Sequence, residues 1–66
     1  MQITLNDTPM ELQDSAALSD LLVQLGHPTQ GIAIAVNQTI VPKTAWETHR
    51  LYHGDSVLMF QAIAGG

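Results

Sequence analysis

The chain has 66 residues, with six acidic side chains against two Lys or Arg, a net charge of −4 and no cysteine. A domain of this size buries only about 60% of the surface that its unfolded chain exposes, which leaves little room for an enclosed active site. The missing thiols exclude disulfides and cysteine-ligated clusters, and two fixed cations are too few for the counterion release that drives nucleic-acid binding, so we expect one domain over residues 1–66 that binds neither nucleic acid nor metal.

The first twelve residues predict a β-hairpin. Met1, Ile3 and Leu5 alternate with polar residues, which is the period-two pattern of a strand with one buried face. Residues 6–9 predict the turn, and residues 10–12 resume the alternation as a return strand. No basic leader and no long apolar run occurs here, so we expect no signal peptide, no membrane span and a cytoplasmic location.

A single amphipathic helix follows the hairpin. Its apolar stripe has the spacing i, i+3, i+4 and i+7, at Leu18, Leu21, Leu22 and Leu25. Gly26 stands where a left-handed glycine ends a helix. We expect Asp14 or Ser15 to cap the amino terminus of this helix.

Two further strands are predicted over residues 32–36 and 40–41, joined by a turn at residues 37–38. In the first of them large aliphatic residues alternate with Ala33 and Ala35. Residues 43–49, which include Trp46, indicate an irregular or short helical connector. The element order is therefore β-β-α-β-β-β once the last strand is added, which predicts an α+β fold.

The last strand, over residues 57–63, is apolar on both faces. A strand of this kind is normally covered on both sides, yet one helix can cover only one face of the sheet. Leu58 and Phe60 would then form an exposed docking patch beside Ala33 and Ala35. The alternative is that the connector holding Trp46 folds over the patch.

The chain ends in Gly65 and Gly66, directly after this strand. Glycine has no Cβ, so a flexible tail over residues 64–66 could lie extended in the narrow channel of another protein. This pattern favours chemistry on the Gly66 carboxyl group. A tail without a function is the alternative.

The whole chain resembles the ThiS family, the ubiquitin-like β-grasp sulfur carrier proteins of thiamine biosynthesis. The resemblance rests on the following segments: Met1-Gln2-Ile3, Asn6-Asp7, Leu21-Leu22 with Leu25, Ala35-Val36-Asn37-Gln38-Thr39-Ile40-Val41-Pro42-Lys43, Trp46, Gly54-Asp55, and Phe60-Gln61-Ala62-Ile63-Ala64-Gly65-Gly66. The stretch Val-Asn-x-x-Ile-Val-Pro with its following Trp is the specific part. Two positions depart from the family pattern, since Lys43 stands where Arg is frequent and Ala17 where a capping Thr is frequent. We expect Asp14 or Ser15 to offset the lost cap.

The resemblance implies a fold and a role. The fold is a mixed β-grasp sheet with one helix packed on one face. A ubiquitin-activating-type enzyme would use ATP to adenylate Gly66, and a cysteine desulfurase or sulfurtransferase relay would convert it to a thiocarboxylate. Thiazole synthase would then take the sulfur for thiazole synthesis. The chain would be a protein cosubstrate with no bound cofactor and no catalytic residue of its own.

Residue roles are also implied by the resemblance. Ala64, Gly65 and Gly66 would enter the channel of the activating enzyme, while Phe60, Leu58, Ala33 and Ala35 would dock the domain. We expect a monomer that forms transient complexes. Three alternatives remain open: the small subunit of molybdopterin synthase, a protein-modifying ubiquitin-like tag, and an interaction module whose tail is incidental.

Overall fold

The computed structural model describes residues 1–26 and 30–61, which form a five-stranded mixed sheet with one helix on one face. The elements are β1 (Gln2–Leu5), β2 (Thr8–Glu11), α1 (Leu18–Leu25), β3 (Ile32–Val36), β4 (Thr39–Val41), a short 3₁₀ helix (Lys43–Ala45) and β5 (Ser56–Gln61). The predicted α+β architecture and element order are confirmed. No helix in the described ranges is long and apolar enough to cross a membrane.

The last strand, β5, lies in the centre of the sheet, whose strand order is β2-β1-β5-β3-β4. It pairs in parallel with β1 on one side and antiparallel with β3 on the other. The predicted boundary of this strand at residue 57 is one residue late, and its predicted end at residue 63 lies outside the described residues. The carboxyl-terminal segment of the chain therefore continues from a strand that is held on both sides.

Both hairpins turn on two residues with positive φ. Asn6 and Asp7 have φ values of 50° and 67°, and Asn37 and Gln38 have values of 50° and 72°. Such two-residue turns match the twist of the paired strands, and asparagine and aspartate tolerate this conformation well. The predicted first turn over residues 6–9 is too long, because residues 8 and 9 already pair with β1. Pro9 is tolerated there because β2 is an edge strand.

The helix α1 ends at Gly26 as predicted, where φ is 64°. Its predicted amino-terminal caps are wrong, because the N-cap residue is Ala17, which makes no side-chain cap. The first amide groups of the helix instead donate to backbone carbonyls of the connector, Leu18 to His49 at 3.0 Å and Ser19 to Trp46 at 3.1 Å. The connector therefore satisfies the groups that a side-chain cap would otherwise bind.

Asp14 and Ser15 are occupied elsewhere. The Asp14 carboxylate accepts a hydrogen bond of 3.2 Å from the amino group of Met1, and the Ser15 carbonyl accepts one of 2.7 Å from Arg50. Asp20 contributes half of a capping box, since its carboxylate accepts a hydrogen bond from the Ala17 amide at 2.9 Å.

The core lies between α1 and one face of the sheet. It joins three residues of the helix stripe to aliphatic residues of every strand except the β2 edge, together with two residues before α1 and two after the 3₁₀ helix: Ile3, Leu12, Ala16, Leu18, Leu21, Leu22, Ile34, Val36, Val41, Trp46, Leu51 and Val57. The buried side chains in the described ranges are apolar, except that Trp46 carries a polar indole N–H group. This group donates a 2.9 Å hydrogen bond to the Val41 carbonyl. The opposite face of the sheet carries no helix, and we call it the open face.

Candidate functional site

The open face carries exposed apolar side chains on β4 and β5, which flank two alanines of β3, the half-buried Ala33 and the buried Ala35. Leu58 is 50% exposed and lies opposite Ala35, while Phe60 is 41% exposed and lies opposite Ala33. Paired residues of an antiparallel ladder project from the same face, so these four residues share one surface. The structure thus brings together the four residues that the sequence indicated as a docking surface.

A fifth residue joins this surface from the neighbouring strand. Ile40 of β4 is 57% exposed and lies opposite Ala35, so Ile40, Ala35 and Leu58 form a row across three strands. We call Ala33, Ala35, Ile40, Leu58 and Phe60 the apolar patch. With strands about 4.8 Å apart and a rise of about 3.3 Å per residue, its Cα atoms span roughly 10 by 7 Å.

The shape of the apolar patch follows from residue size. The two alanines of β3 are the low central positions, and the three larger side chains stand on the strands at either side. A shallow apolar notch with taller walls can receive a side chain of a partner, which is the geometry of the best-packed positions in protein interfaces.

Sequence reasoning missed Ile40, although the signal was present. A two-residue turn at residues 37–38 requires residue 36 to pair with residue 39, and the same register then pairs Ala35 with Ile40. Because Ala35 faces away from the core side chains of β3, its partner Ile40 must do the same. The apolar neighbour Val41, which is buried, obscured this alternation.

On the β1 side, the open face is mostly polar. Thr4 lies opposite Ser56 in the β1–β5 ladder and opposite Pro9 in the β1–β2 ladder, and Gln2 lies opposite Glu11. The apolar patch is therefore bordered on the β1 side by hydroxyl, amide and carboxylate groups. An apolar centre with a polar border is the usual composition of a protein–protein interface.

The connector that contains Trp46 does not cover the apolar patch. Trp46 is only 5% exposed and belongs to the core cluster with Leu18 and Leu22 on the helix side of the sheet. Its carbonyl accepts the Ser19 amide at 3.1 Å, which ties the connector to the first turn of α1. The alternative interpretation, in which this connector folds over Leu58 and Phe60, is wrong.

The same strand carries the patch and leads to the carboxyl terminus. Leu58 and Phe60 belong to β5, whose last described residue is Gln61. The predicted tail residues Ala64, Gly65 and Gly66 lie outside the described residues, so their predicted role stays a prediction. Gly66 follows Gln61 by five positions in the sequence.

Two titratable side chains near the sheet, His53 and Asp55, accept hydrogen bonds that connect parts of the fold. The Nδ1 atom of His53 accepts the Gln2 amide at 3.0 Å. The Asp55 carboxylate accepts the Tyr52 amide at 2.8 Å and the Asn37 side-chain amide at 3.1 Å. Within residues 1–26 and 30–61, no group of three His, Cys, Asp or Glu residues is arranged to hold a metal ion.

Comparisons with known proteins agree on one family. The family model described as "ThiS family" matches residues 3–66. The chain is similar to the sulfur carrier protein ThiS of Escherichia coli strain K12, with 44% identity over 66 residues, and the match covers 100% of both chains.

Two solved structures from Geobacter metallireducens have the same fold. The crystal structure of a thiamine biosynthesis protein (ThiS) superimposes with a TM-score of 0.88 and 22% identity, covering 100% of both chains. The solution structure of a thiamine biosynthesis protein gives a TM-score of 0.76 at 22% identity, covering 100% of this chain and 88% of the other.

Proposed function

Since the chain belongs to the ThiS family, we propose that it serves thiamine biosynthesis as a sulfur carrier protein, with the sulfur held as a thiocarboxylate at Gly66. The observation that carries this proposal is the 44% identity to a sulfur carrier protein over the full length of both chains. The apolar patch supports it, because β5 supplies two patch residues and continues toward the proposed reacting group.

The proposed chemistry begins with activation of the carboxyl group. A carboxylate resists attack by a nucleophile because it is anionic and has no good leaving group. A ubiquitin-activating-type enzyme would bind the carrier with ATP, and the Gly66 carboxylate oxygen would attack the α-phosphorus, releasing pyrophosphate and forming an acyl-adenylate. AMP is a good leaving group, so the acyl carbon becomes open to attack by sulfur.

Sulfur then replaces AMP. The outer sulfur of a protein persulfide, supplied by a cysteine desulfurase or sulfurtransferase relay, attacks the Gly66 carbonyl carbon and expels AMP. The product is an acyl disulfide, and a thiol that cleaves its S–S bond leaves the thiocarboxylate on the carrier. Thiazole synthase would take this sulfur, and the carboxylate of Gly66 would be regenerated for another cycle.

The chain acts in this scheme as a cosubstrate of other enzymes. Ala64, Gly65 and Gly66 would occupy the channel of the activating enzyme, since two terminal glycines present no Cβ to its walls. The apolar patch would hold the domain at the mouth of that channel. ATP would be bound by the activating enzyme and not by this chain, and we propose that the reactions take place in the cytoplasm.

Mass spectrometry of the intact chain tests this proposal. The chain is incubated with ATP, an activating enzyme of the family and a cysteine-fed desulfurase, and is then alkylated to trap a thiocarboxylate. We expect an alkylated sulfur on the carboxyl-terminal fragment that contains Gly66. Fragmentation is essential, because exchange of oxygen for sulfur adds nearly the same mass as oxidation of one Met residue. An unmodified Gly66 beside a modified control carrier would favour an interaction module with an incidental tail.

A further inference from the structure

We propose that the side-chain amide of Asn6 is a positioning group that fixes the direction in which β5 leaves the sheet toward Gly66. The inference rests on the proposed function, because it concerns how the reacting carboxyl group is presented to the activating enzyme. It concerns a residue of the β1–β2 turn, which lies outside the apolar patch and outside the tail.

Asn6 holds β5 beyond the point where strand pairing with β1 ends. The last β1 residue in the ladder is Leu5, which pairs with Val57, and the Asn6 backbone amide donates to the Val57 carbonyl at 2.9 Å. Two residues further along β5, the side chain of Asn6 replaces the β1 backbone as the hydrogen-bonding partner of β5. Its Oδ1 accepts the Met59 amide at 2.9 Å, and its Nδ2 donates to the Met59 carbonyl at 3.1 Å.

A primary amide has a hydrogen-bond donor and an acceptor, as a peptide group does. The side chain of Asn6 therefore extends the β1–β5 ladder by one hydrogen-bonded position. The other edge of β5 pairs with β3 as far as the contact of Ile32 with Gln61. Met59 is therefore held from both sides, and it lies between Leu58 and Phe60 of the apolar patch. Without the Asn6 amide, the end of β5 would be held only by β3.

The position of this contact matters because a small rotation at Met59 would move the reacting group by a larger distance. Met59 precedes Gly66 by seven residues, and seven extended residues span at most about 25 Å. For an extended segment of this length that approaches the channel of a partner, a rotation of about 10° at Met59 would displace the far end by about 4 Å. Misplacement of a reacting group by about 1 Å already lowers rates strongly. The direction of β5 at Met59 is thus a sensitive determinant of activation.

The chain contains a matched control for this residue. Asn37 occupies the first position of the other hairpin turn, is exposed, and has the same φ of 50°. Its side chain also binds β5, since its Oδ1 accepts the Ser56 amide at 3.0 Å, and its Nδ2 donates to the carboxylate of Asp55, the residue before β5, at 3.1 Å. These contacts lie at the start of β5, at the opposite end from the tail.

The test compares Asn6→Gly with Asn37→Gly in the full chain, because glycine adopts the positive φ readily and removes the side chain that carries the amide. Pyrophosphate release by the activating enzyme gives kcat and KM, hydrogen exchange reports the Met59 amide, and thermal unfolding reports stability. For Asn6→Gly we expect faster exchange at Met59, a kcat lowered about three- to tenfold and a KM within about twofold, because the apolar patch is retained. For Asn37→Gly we expect a similar loss of stability with kcat and KM within about twofold of the unaltered chain.

Asn6→Asp is a second variant that keeps the acceptor for the Met59 amide and loses the donor to its carbonyl. We expect its kcat to fall between those of the unaltered chain and Asn6→Gly. An unchanged kcat in Asn6→Gly with faster exchange at Met59 would overturn the inference, as would an equal loss of kcat in both glycine variants. If the unaltered chain releases no pyrophosphate, the proposed function itself fails and the positioning role fails with it.

Discussion

Phe60 is the largest side chain of the apolar patch, and we predict that it contributes more to docking than to folding. It stands opposite Ala33, which leaves much of its ring without a neighbour across the ladder, and 41% of the residue is exposed. Aromatic side chains in such positions often dominate the binding energy of an interface. The side chains of the core cluster, by contrast, lie on the α1 side of the sheet.

We predict that Phe60→Ala raises the Kd for the activating enzyme about 30-fold, which corresponds to about 2 kcal/mol. The loss of unfolding free energy should be smaller, about 1 kcal/mol, because the ring is already partly in water. Isothermal titration and urea unfolding measure the two quantities. Tyr52→Ala is a control, since Tyr52 is 70% exposed and lies outside the sheet, between the 3₁₀ helix and β5. A large loss of stability with unchanged affinity would assign Phe60 to the core instead.

For single residues, the sequence predicts well which face of the sheet a side chain occupies, provided that the alternation along the strand is clear. It placed Leu58 and Phe60 on one face of β5 and Met59 on the other, and the burial pattern agrees. It missed Ile40 because β4 has only three residues, too few for its own alternation to show. The register of the hairpin with β3 supplies the missing constraint.

At the scale of elements, the amino terminus of α1 shows how distant backbone groups can replace a local cap. Sequence reasoning expected a capping side chain at residue 14 or 15, because Asp and Ser are good caps. The structure begins the helix later, at Leu18, where carbonyls of His49 and Trp46 accept the first amides. These partners lie about 30 residues away in the sequence, so no local pattern could reveal them.

Asp20 is the side chain that still acts in the manner of a capping box, through its 2.9 Å contact with the Ala17 amide. We predict that Asp20→Ala lowers the unfolding free energy by about 1 kcal/mol, because the Ala17 amide loses its acceptor and the helix dipole loses a favourable charge. Val23→Ala on the same helix is the control, since Val23 is 80% exposed and its truncation should change stability little. Urea unfolding of the three chains gives the comparison. Equal stability of Asp20→Ala and Val23→Ala would contradict this interpretation.

At the scale of the whole molecule, the two faces of the sheet differ in what covers them. One face binds α1 and contains the core, while the open face presents an apolar patch with a polar border. The sequence predicted this division from one helix and one strand that is apolar on both faces. The strand order, with β5 at the centre, depends on pairing between distant segments, which periodicity does not reveal.

The separation predicts that changes in the tail leave the fold intact. Replacement of Gly65 by Trp, or addition of one residue after Gly66, should abolish pyrophosphate release, because a bulky or displaced end cannot be accommodated in the channel. The melting temperature should change by less than about 2 °C, since the core residues are untouched. Gln61→Ala, upstream of the tail, serves as a control that should retain activity. Normal pyrophosphate release by both tail variants would contradict the channel argument.

Transfer of labelled sulfur tests whether the chain carries sulfur for thiazole synthesis. The chain is converted to its Gly66 thiocarboxylate with a heavy sulfur isotope and mixed with thiazole synthase and its other substrates in a single turnover. We expect the heavy isotope to appear in the thiazole product while Gly66 returns to a carboxylate. Retention of the label on Gly66 in this reaction, or its transfer only to a molybdopterin precursor in a parallel reaction with that acceptor, would contradict it.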